Sequence, residues 1–281
     1  MRSHNLGLVL VMQCLLAGQA LAAGELKVCA DPNNPPFSDR KGTGYENAIA
    51  ELLAKDQGLK LSYTWFPQRM GFVRSTLKAQ DPDTGEFKCD VIMGVPARSD
   101  MTATTDAYYR SSYALVYVTK NWAAIPSLDA LAAWPKEARV GIRMAMYDGS
   151  PATTWMLRHD LIEQGVPYQS MGGDASVNTA QQLLKEFRDG RINMAIVWGP
   201  IAAYLVRHET TPKLAMLPVK SEEGVTFEYS MSMGVRIPDK DRKAMLNGFI
   251  QKNQAKINGI LEKHGVPLLP LSSDADAAAK K

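Results

Sequence analysis

The sequence predicts an α/β protein, because short apolar runs of the length of buried strands alternate with segments of helical spacing. Apolar runs at 26–30, 60–66 and 90–95 indicate strands, and apolar side chains at helical intervals indicate helices at 46–55 and 72–79. This order, strand, helix, strand, helix, strand, is typical of a parallel sheet with helices on its faces.

The second half of the chain predicts a further group of strands and helices. An apolar run at 113–119 could carry the chain from the first group into the second. The pattern then predicts strands at 140–144, 193–198, 213–219 and 229–236, and helices at 153–164, 180–187, 201–208 and 241–263. We therefore expect two α/β lobes.

The two ends of the chain are expected to lie outside the fold. Residues 1–22 combine a positive start, a short apolar run and the sequence Ala20-Leu21-Ala22, which is typical of a cleaved secretory signal peptide. An uncleaved membrane anchor is the alternative. The polar, alanine-rich segment 271–281 is predicted to be a disordered tail. These features predict an exported, periplasmic protein that is not embedded in the membrane.

Composition and motifs exclude several classes of function. The 281 residues carry a net charge of only +3, which requires neither nucleic acid nor an anionic membrane as a partner. The glycines at 42–47 do not complete a dinucleotide fingerprint, and no spacing of cysteine and histidine suits zinc. We therefore predict no catalytic residues, no metal and no cofactor.

Two cysteines, Cys29 and Cys89, remain after removal of the predicted signal peptide. In an oxidising compartment two such cysteines often pair. Cys29 is expected near the end of one strand and Cys89 just before the start of another, an offset that could exceed the reach of a disulfide. The sequence leaves both states open.

Several motifs together resemble the family 3 periplasmic solute-binding proteins. The opening loop Asp31-Pro-x-x-x-Pro-Phe37 follows the first strand, and Asp90-Val-Ile-Met-Gly94 is followed by Arg98, Thr105 and Tyr108-Tyr109. Longer matching stretches at 28–34, 67–74, 89–96, 108–113 and 195–200 make the chain similar to the MxaJ/XoxJ type of that family.

The resemblance implies a fold and a partner. The fold would be the two-lobed type II fold of periplasmic binding proteins, with two crossover strands and a cleft between the lobes. Lobe 1 would comprise 23–118 and 222–270, and lobe 2 would comprise 119–221. The partner would be a quinoprotein methanol dehydrogenase, more in keeping with its lanthanide-linked branch, whose maturation or activation the protein would assist.

Two departures argue against an ordinary amino-acid receptor. Receptors of this fold hold the ligand's ammonium with a carboxylate after the strand at 193–198, where this chain has Trp198-Gly199-Pro200. Asp148 also adds a negative charge where an anionic group would approach. The alternatives are a receptor that delivers another small polar solute to an ABC transporter, and an enzyme using Asp31 or Asp148.

The candidate residues for binding a ligand or partner surround the expected cleft. Asp31 could face it or cap the proline loop, and Arg98 follows a parallel strand, where its planar fork suits a carboxylate. Gln68, Arg69 and Arg74 could be a solvated face or a basic contact patch for an acidic partner. The full predicted set is Asp31, Asn34, Phe37, Gln68, Arg69, Pro96, Arg98, Tyr108, Tyr109, Arg143, Ser150 and Trp198.

Overall fold

The computed structural model of the chain describes residues 24–122, 124–170 and 178–271. The predicted signal peptide at 1–22 lies outside the described residues, and so does the predicted tail beyond Leu271. Within these ranges, no helix is long and apolar enough to cross a membrane.

The elements alternate between strands and helices, as the sequence predicts. The strands are β1 (Glu25–Ala30), β2 (Asn33–Asn34), β3 (Ser38–Asp39), β4 (Lys60–Trp65), β5 (Val91–Pro96), β6 (Ala103–Thr104), β7 (Tyr109–Val118), β8 (Met144–Tyr147), β9 (Gly165–Tyr168), β10 (Met194–Trp198), β11 (Leu214–Pro218), β12 (Glu228–Val235) and β13 (Leu268–Leu269). The helices are α1 (Tyr45–Gln57), α2 (Phe72–Ser75), α3 (Leu128–Ala132), α4 (Pro151–Arg158), α5 (Thr179–Arg188), α6 (Gly199–His208) and α7 (Lys240–Lys263), with short 3-10 turns at Lys136–Arg139 and Ile162–Gln164.

The strands form one continuous ladder in the order β4-β1-β5-β12-β7-β10-β8-β9. Strands β4, β1 and β5 are parallel, and so are β10, β8 and β9. The two parallel groups are joined through β7, whose first half pairs with β12 and whose second half pairs with β10 and β11. Each parallel group therefore belongs to its own lobe.

Each lobe has its own apolar core. In lobe 1, β1 and β5 send Leu26, Val28 and Val91 into a core with α1 and α7. In lobe 2, one face of the sheet packs against Trp155 of α4, and the other packs against Leu183 of α5 together with α6. The other face of the lobe 1 sheet packs against Phe72 of α2, so the sheets of both lobes are covered on both faces, as their buried strands require.

The chain passes between the lobes twice. Strand β7 makes the first passage, and the segment 219–227 between β11 and β12 makes the second. The partners of β7 change between Ser112 and Ala114, whereas the predicted boundary follows residue 118, at the far end of the strand. The placement of the lobe boundaries at 118/119 and 221/222 stays a prediction.

Three predicted elements differ from the structure. The strand expected at 140–144 begins only at Met144, because the amide of Asn193 binds the backbone of Gly141 and Arg143 and holds them as an entry turn. The helix expected at 153–164 ends at Arg158, before Asp160 takes a positive φ of 55°. The helix expected at 72–79 is reduced to α2, which ends at Ser75.

The cysteines form a disulfide, with Cα atoms of Cys29 and Cys89 5.4 Å apart. The sequence predicts that Cys29 and Cys89 are offset along their strands, but they meet because the chain before β5 crosses the face of the sheet. The carbonyl of Lys88 accepts a hydrogen bond from the Thr64 hydroxyl on β4, and Asp90 N–H donates to Lys27 on β1. Cys89 thereby reaches the face of β1 from which Cys29 projects.

We predict that the disulfide contributes strongly to the stability of lobe 1. It closes a loop of 60 residues, and chain entropy alone assigns such a loop about 4 kcal/mol. The Cys29→Ala/Cys89→Ala double variant should therefore unfold at a much lower urea concentration than the oxidised protein. A reductant should shift the wild-type midpoint but leave that of the double variant unchanged. Equal wild-type midpoints with and without complete reduction would contradict this assignment.

Candidate functional site

The candidate site lies where the parallel strands of both lobes end, the edge at which open α/β sheets bind ligands. In lobe 1 this edge carries the loops after β1, β4 and β5, and in lobe 2 it carries the residues after β8 and β10. The two edges touch, since Gln181 Nε2 of α5 lies 3.4 Å from Asn33 Oδ1 of the opening loop. Side chains from both lobes therefore meet there.

A polar cluster joins the opening loop of lobe 1 to the loop after β4. One carboxylate oxygen of Asp31 accepts the N–H of Asn33 at 2.8 Å, and the other accepts the N–H of Gln68 at 2.5 Å. Asn34 Nδ2 donates to Gln68 Oε1 at 3.0 Å. The structure thus brings together three predicted residues, Asp31, Asn34 and Gln68. Asp31 caps the opening loop and also holds the loop after β4 in place.

The other predicted residues of lobe 1 fall into two groups. Pro96, the last residue of β5, and Arg98 are exposed, and Arg69 follows Gln68 as a half-buried side chain. Phe37 instead packs on Tyr45, with ring centroids 5.6 Å apart, at the margin of the lobe 1 core. Pro96, Arg98 and Arg69 lie on the rim of the lobe, whereas Phe37 supports the opening loop from below.

Tyr108 and Tyr109 do not line the cleft. Both are buried in the core of lobe 1, with 0% and 2% of their surface exposed. The Tyr108 hydroxyl donates to the Met93 carbonyl at 2.8 Å, and the Tyr109 hydroxyl lies 2.9 Å from that of Tyr45. Burial raises the pKa of both phenols, and their polar atoms are occupied by protein groups.

In lobe 2, Ser150 and Arg143 lie at opposite ends of β8. Ser150 caps α4, because its hydroxyl accepts the N–H of Thr153 at 3.2 Å. Arg143 precedes β8 and donates to the carbonyls of Gly190 and Gly141 at 3.2 and 3.3 Å. The structure therefore places Ser150 at the edge of the site and Arg143 at the far edge of the sheet.

Asp148 is bound within lobe 2. Its carboxylate accepts the N–H of Ser170 at 2.6 Å, and the hydroxyl of Ser170 donates to the Asp148 carbonyl at 2.5 Å. The hydrogen bond from Ser170 lowers the pKa of Asp148 below its usual range. Asp148 therefore keeps a negative charge at neutral pH.

Trp198 anchors an aromatic cluster at the junction of the lobes. Its ring contacts Tyr113 of β7 and Tyr229 of β12, with centroids 5.6 and 5.9 Å apart, and those two tyrosines are 6.2 Å apart. We call Trp198, Tyr113 and Tyr229 the hinge cluster. Its rings pack on one another at the end of β10.

The start of α6 is fitted tightly against lobe 1. A Cβ atom at Gly199 would lie 2.4 Å from the Ser112 carbonyl oxygen and 2.5 Å from a side-chain carbon of Pro267. No side chain fits at this position without displacing the backbone of β7. The sequence Trp198-Gly199-Pro200 therefore places an aromatic ring, and no acid, at the end of β10.

Glu46, a buried acid near the site, is not among the residues that the sequence predicts. It lies on the first turn of α1 and is only 7% exposed, and its side chain makes no hydrogen bond with the described residues. Its carboxyl sits over Gly94 of β5, where a Cβ atom would lie 2.3 Å from Glu46 Oε1. Burial, and secondarily the charge of Asp31, raise its pKa to about 8.

The spacing of apolar residues in α1 indicates that Glu46 is buried. Glu46 precedes the buried Ile49 and Leu53 by three and seven positions, which places it on the inward face of α1. An acid on that face is either paired or kept neutral, because an isolated carboxylate is costly to bury. At neutral pH the site therefore combines a neutral buried acid, the bound carboxylate of Asp31 and an aromatic wall. Among the described residues, no group of His, Cys, Asp and Glu side chains could hold a metal ion.

We predict that Glu46 makes stability depend on pH. In the unfolded chain Glu46 ionises near its ordinary pKa of 4.5, whereas in the folded protein it stays protonated up to about 8. The neutral form of Glu46 therefore makes its full contribution to stability below the pKa of the unfolded chain. That contribution is lost as the pH rises through the pKa of the folded protein. Between about pH 5 and pH 8.5, the free energy of unfolding of the wild type should fall by a few kcal/mol relative to that of Glu46→Gln.

Urea unfolding of both proteins at the two pH values measures this difference. Glu51→Gln is the matched control, because Glu51 lies on the same helix and is exposed. The control should follow the wild type at both pH values. Parallel stability profiles for the wild type and Glu46→Gln would show that Glu46 ionises normally in the fold.

Comparison with known proteins gives relatives over nearly the whole chain. No family model matches it. It is 30% identical to the protein MoxJ of Paracoccus denitrificans over 272 residues, which cover 92% of this chain and 94% of the relative. It is also 30% identical to the protein MoxJ of Methylorubrum extorquens over 267 residues, covering 89% and 84% of the two chains.

Solved structures with a similar fold include proteins of the same kind. The crystal structure of MxaJ from Methlophaga aminisulfidivorans MPT is 26% identical, with a TM-score of 0.70 over 87% of this chain and 100% of that one. The periplasmic binding protein XoxJ from Methylobacterium extorquens AM1 is 30% identical, with a TM-score of 0.68 over 87% and 99%. An ancestral arginine-binding protein, 17% identical with a TM-score of 0.59 over 86% and 98%, shares the fold. These similarities confirm the predicted type II periplasmic-binding-protein fold.

Proposed function

Because the chain belongs to the family of the MoxJ proteins, we propose that it is a periplasmic accessory protein of a quinoprotein methanol dehydrogenase and acts by binding protein. The dehydrogenase is the partner that the sequence resemblance implies. We further propose that the protein assists the maturation or activation of the enzyme and prefers its lanthanide-linked form. No catalytic group in this chain is part of the proposal.

The hinge cluster is the observation that carries the proposal. A receptor for an amino acid must offer an acid to the ligand's ammonium, since an unpaired ammonium in a cleft is strongly unfavourable. At the end of β10 this chain offers the ring of Trp198, packed against Tyr113 and Tyr229. Aromatic side chains of this kind are enriched in protein interfaces.

The rim of lobe 1 supplies a surface for the partner. Gln68, Arg69, Met70 and Arg74 form what we call the rim patch. Its position is fixed, because the N–H of Gln68 binds Asp31 at the end of β1. Met70 is 80% exposed, and methionine adapts well to the shape of a partner. The patch combines an apolar tip with basic side chains and suits an acidic or mixed protein surface.

The decisive experiment is capture of partners by the exported protein. The tagged chain, purified from the periplasm, should recover a quinoprotein dehydrogenase from periplasmic extract of its source organism, as identified by mass spectrometry. Met70→Asp should weaken that recovery about tenfold, because it places a charge at the centre of the rim patch. Leu157→Asp is the matched control, since Leu157 is also exposed, at 66%, but lies on α4 of lobe 2.

A thermal-shift screen with amino acids, organic acids and polyamines tests the alternative. We expect none of these solutes to raise the melting temperature substantially. A large stabilisation by one solute, with no dehydrogenase recovered, would overturn the proposal and make the protein a solute receptor of an ABC transporter.

A further inference from the structure

A second pocket, separate from the candidate site, lies between α6 of lobe 2 and the end of α7 of lobe 1. It has a volume of about 370 Å³ and is closed on one side by Pro35 and Pro36 of the opening loop. Neither Asp31 nor Trp198 lines it. Its walls therefore come from both lobes, outside the polar cluster and the hinge cluster.

Four side chains that carry or can carry positive charge line this pocket. Arg207 and His208 come from the last turn of α6, and Lys263 and His264 come from the end of α7. Cations at the carboxyl ends of helices are favourable by themselves, because they meet the negative end of the helix dipole. That role explains one cation at each helix end, but it does not explain the convergence of four such groups on one cavity.

The hydrogen bonds of these groups leave donors for a ligand. Arg207 donates one N–H to the Lys263 carbonyl at 2.5 Å, and a guanidinium has five N–H groups in all. His208 Nδ1 lies 2.9 Å from the Tyr204 carbonyl, which can only accept, so the proton is on Nδ1. Nε2 of His208 then becomes a donor when the ring is protonated.

The acid close to this pocket is already engaged. Asp39 affects the pKa of Tyr204, but its oxygens are bound by the N–H and the hydroxyl of Thr43. No acidic side chain lines the cavity among the residues that form it. Burial, and secondarily the positive charges of Arg207 and Lys263, lower the pKa of His264.

We propose that this pocket binds a small doubly charged oxyanion of the sulfate or phosphate type. Arg207 and Lys263 supply permanent charge, and His208 and His264 add donors when they are protonated. Charge-assisted hydrogen bonds of this kind suit tetrahedral oxyanions. Because its ligands come from both lobes, the bound anion would join the end of α6 to the end of α7.

Imidazole NMR signals test the proposal directly. The described residues contain three histidines, of which His159 lies in lobe 2 beside Glu222 and serves as an internal reference. Sodium sulfate should shift the signals of His208 and His264 in a saturable manner and raise the pKa of His264, because a bound anion favours the protonated ring. Sodium chloride at equal ionic strength should not produce these saturable shifts. The signal of His159 should respond equally to both salts.

A pair of lysine variants on α7 provides the control. Lys263→Gln should weaken sulfate binding about tenfold, because it removes one of the permanent charges. Lys243→Gln makes the same change about 30 Å earlier on the same helix and should leave binding unchanged. Non-saturable shifts shared with His159, or equal sulfate affinity in both variants, would overturn the proposal. Neither outcome would affect the proposed binding of the dehydrogenase, which involves the rim patch and the hinge cluster.

Discussion

The architecture depends on β7, a single strand whose two halves belong to the sheets of different lobes. Its backbone pairs with β12 through Ser112, with β10 from Tyr113 and with β11 from Ala114, so the lobes share one hydrogen-bonded ladder. Its side chains alternate between faces, as the pleat requires. Tyr109 enters the core of lobe 1, while Leu115 and Val116 enter opposite cores of lobe 2. Separation of the lobes would therefore break both the ladder and the packing around it.

The hinge cluster reinforces this constraint and sets the chemistry of the site. Trp198 reaches across the junction to Tyr229 on β12, and Gly199 permits the close approach that brings it there. On the lobe 1 side, Asp31 is bound by backbone N–H groups and Glu46 is neutral below its raised pKa. The site thus presents amides, aromatic rings and few unsatisfied charges, which suits contact with a protein surface better than capture of a zwitterion.

Helix α6 connects the two regions for which we propose binding. It begins beside Trp198 at the hinge cluster and ends with Arg207 and His208 at the basic pocket, about 15 Å along the helix axis. Arg207 also binds the carbonyl of Lys263 and thereby ties the end of α6 to that of α7. Because α6 belongs to lobe 2 and α7 packs in lobe 1, both ends of α6 fix the relation between the lobes. An anion at one end would thus reinforce a junction whose other end is already packed.

The sequence by itself determined the order of strands and helices, because apolar periodicity reports which face of each element is buried. It also determined the family resemblance and the absence of an acid at Trp198, since both are properties of local motifs. Only the tertiary structure decided the rest. Tyr108 and Tyr109 were candidates for the cleft but lie in the core, where their hydroxyls meet Met93 on β5 and Tyr45 on α1. Cys29 and Cys89 pair because the chain crosses the sheet before β5, and Arg143 is remote from Ser150 because Asn193 delays the start of β8. The carboxyl of Glu46 is buried because α1 packs over Gly94 of β5. In each case the decisive quantity is the distance between groups far apart in the chain, which local periodicity does not contain.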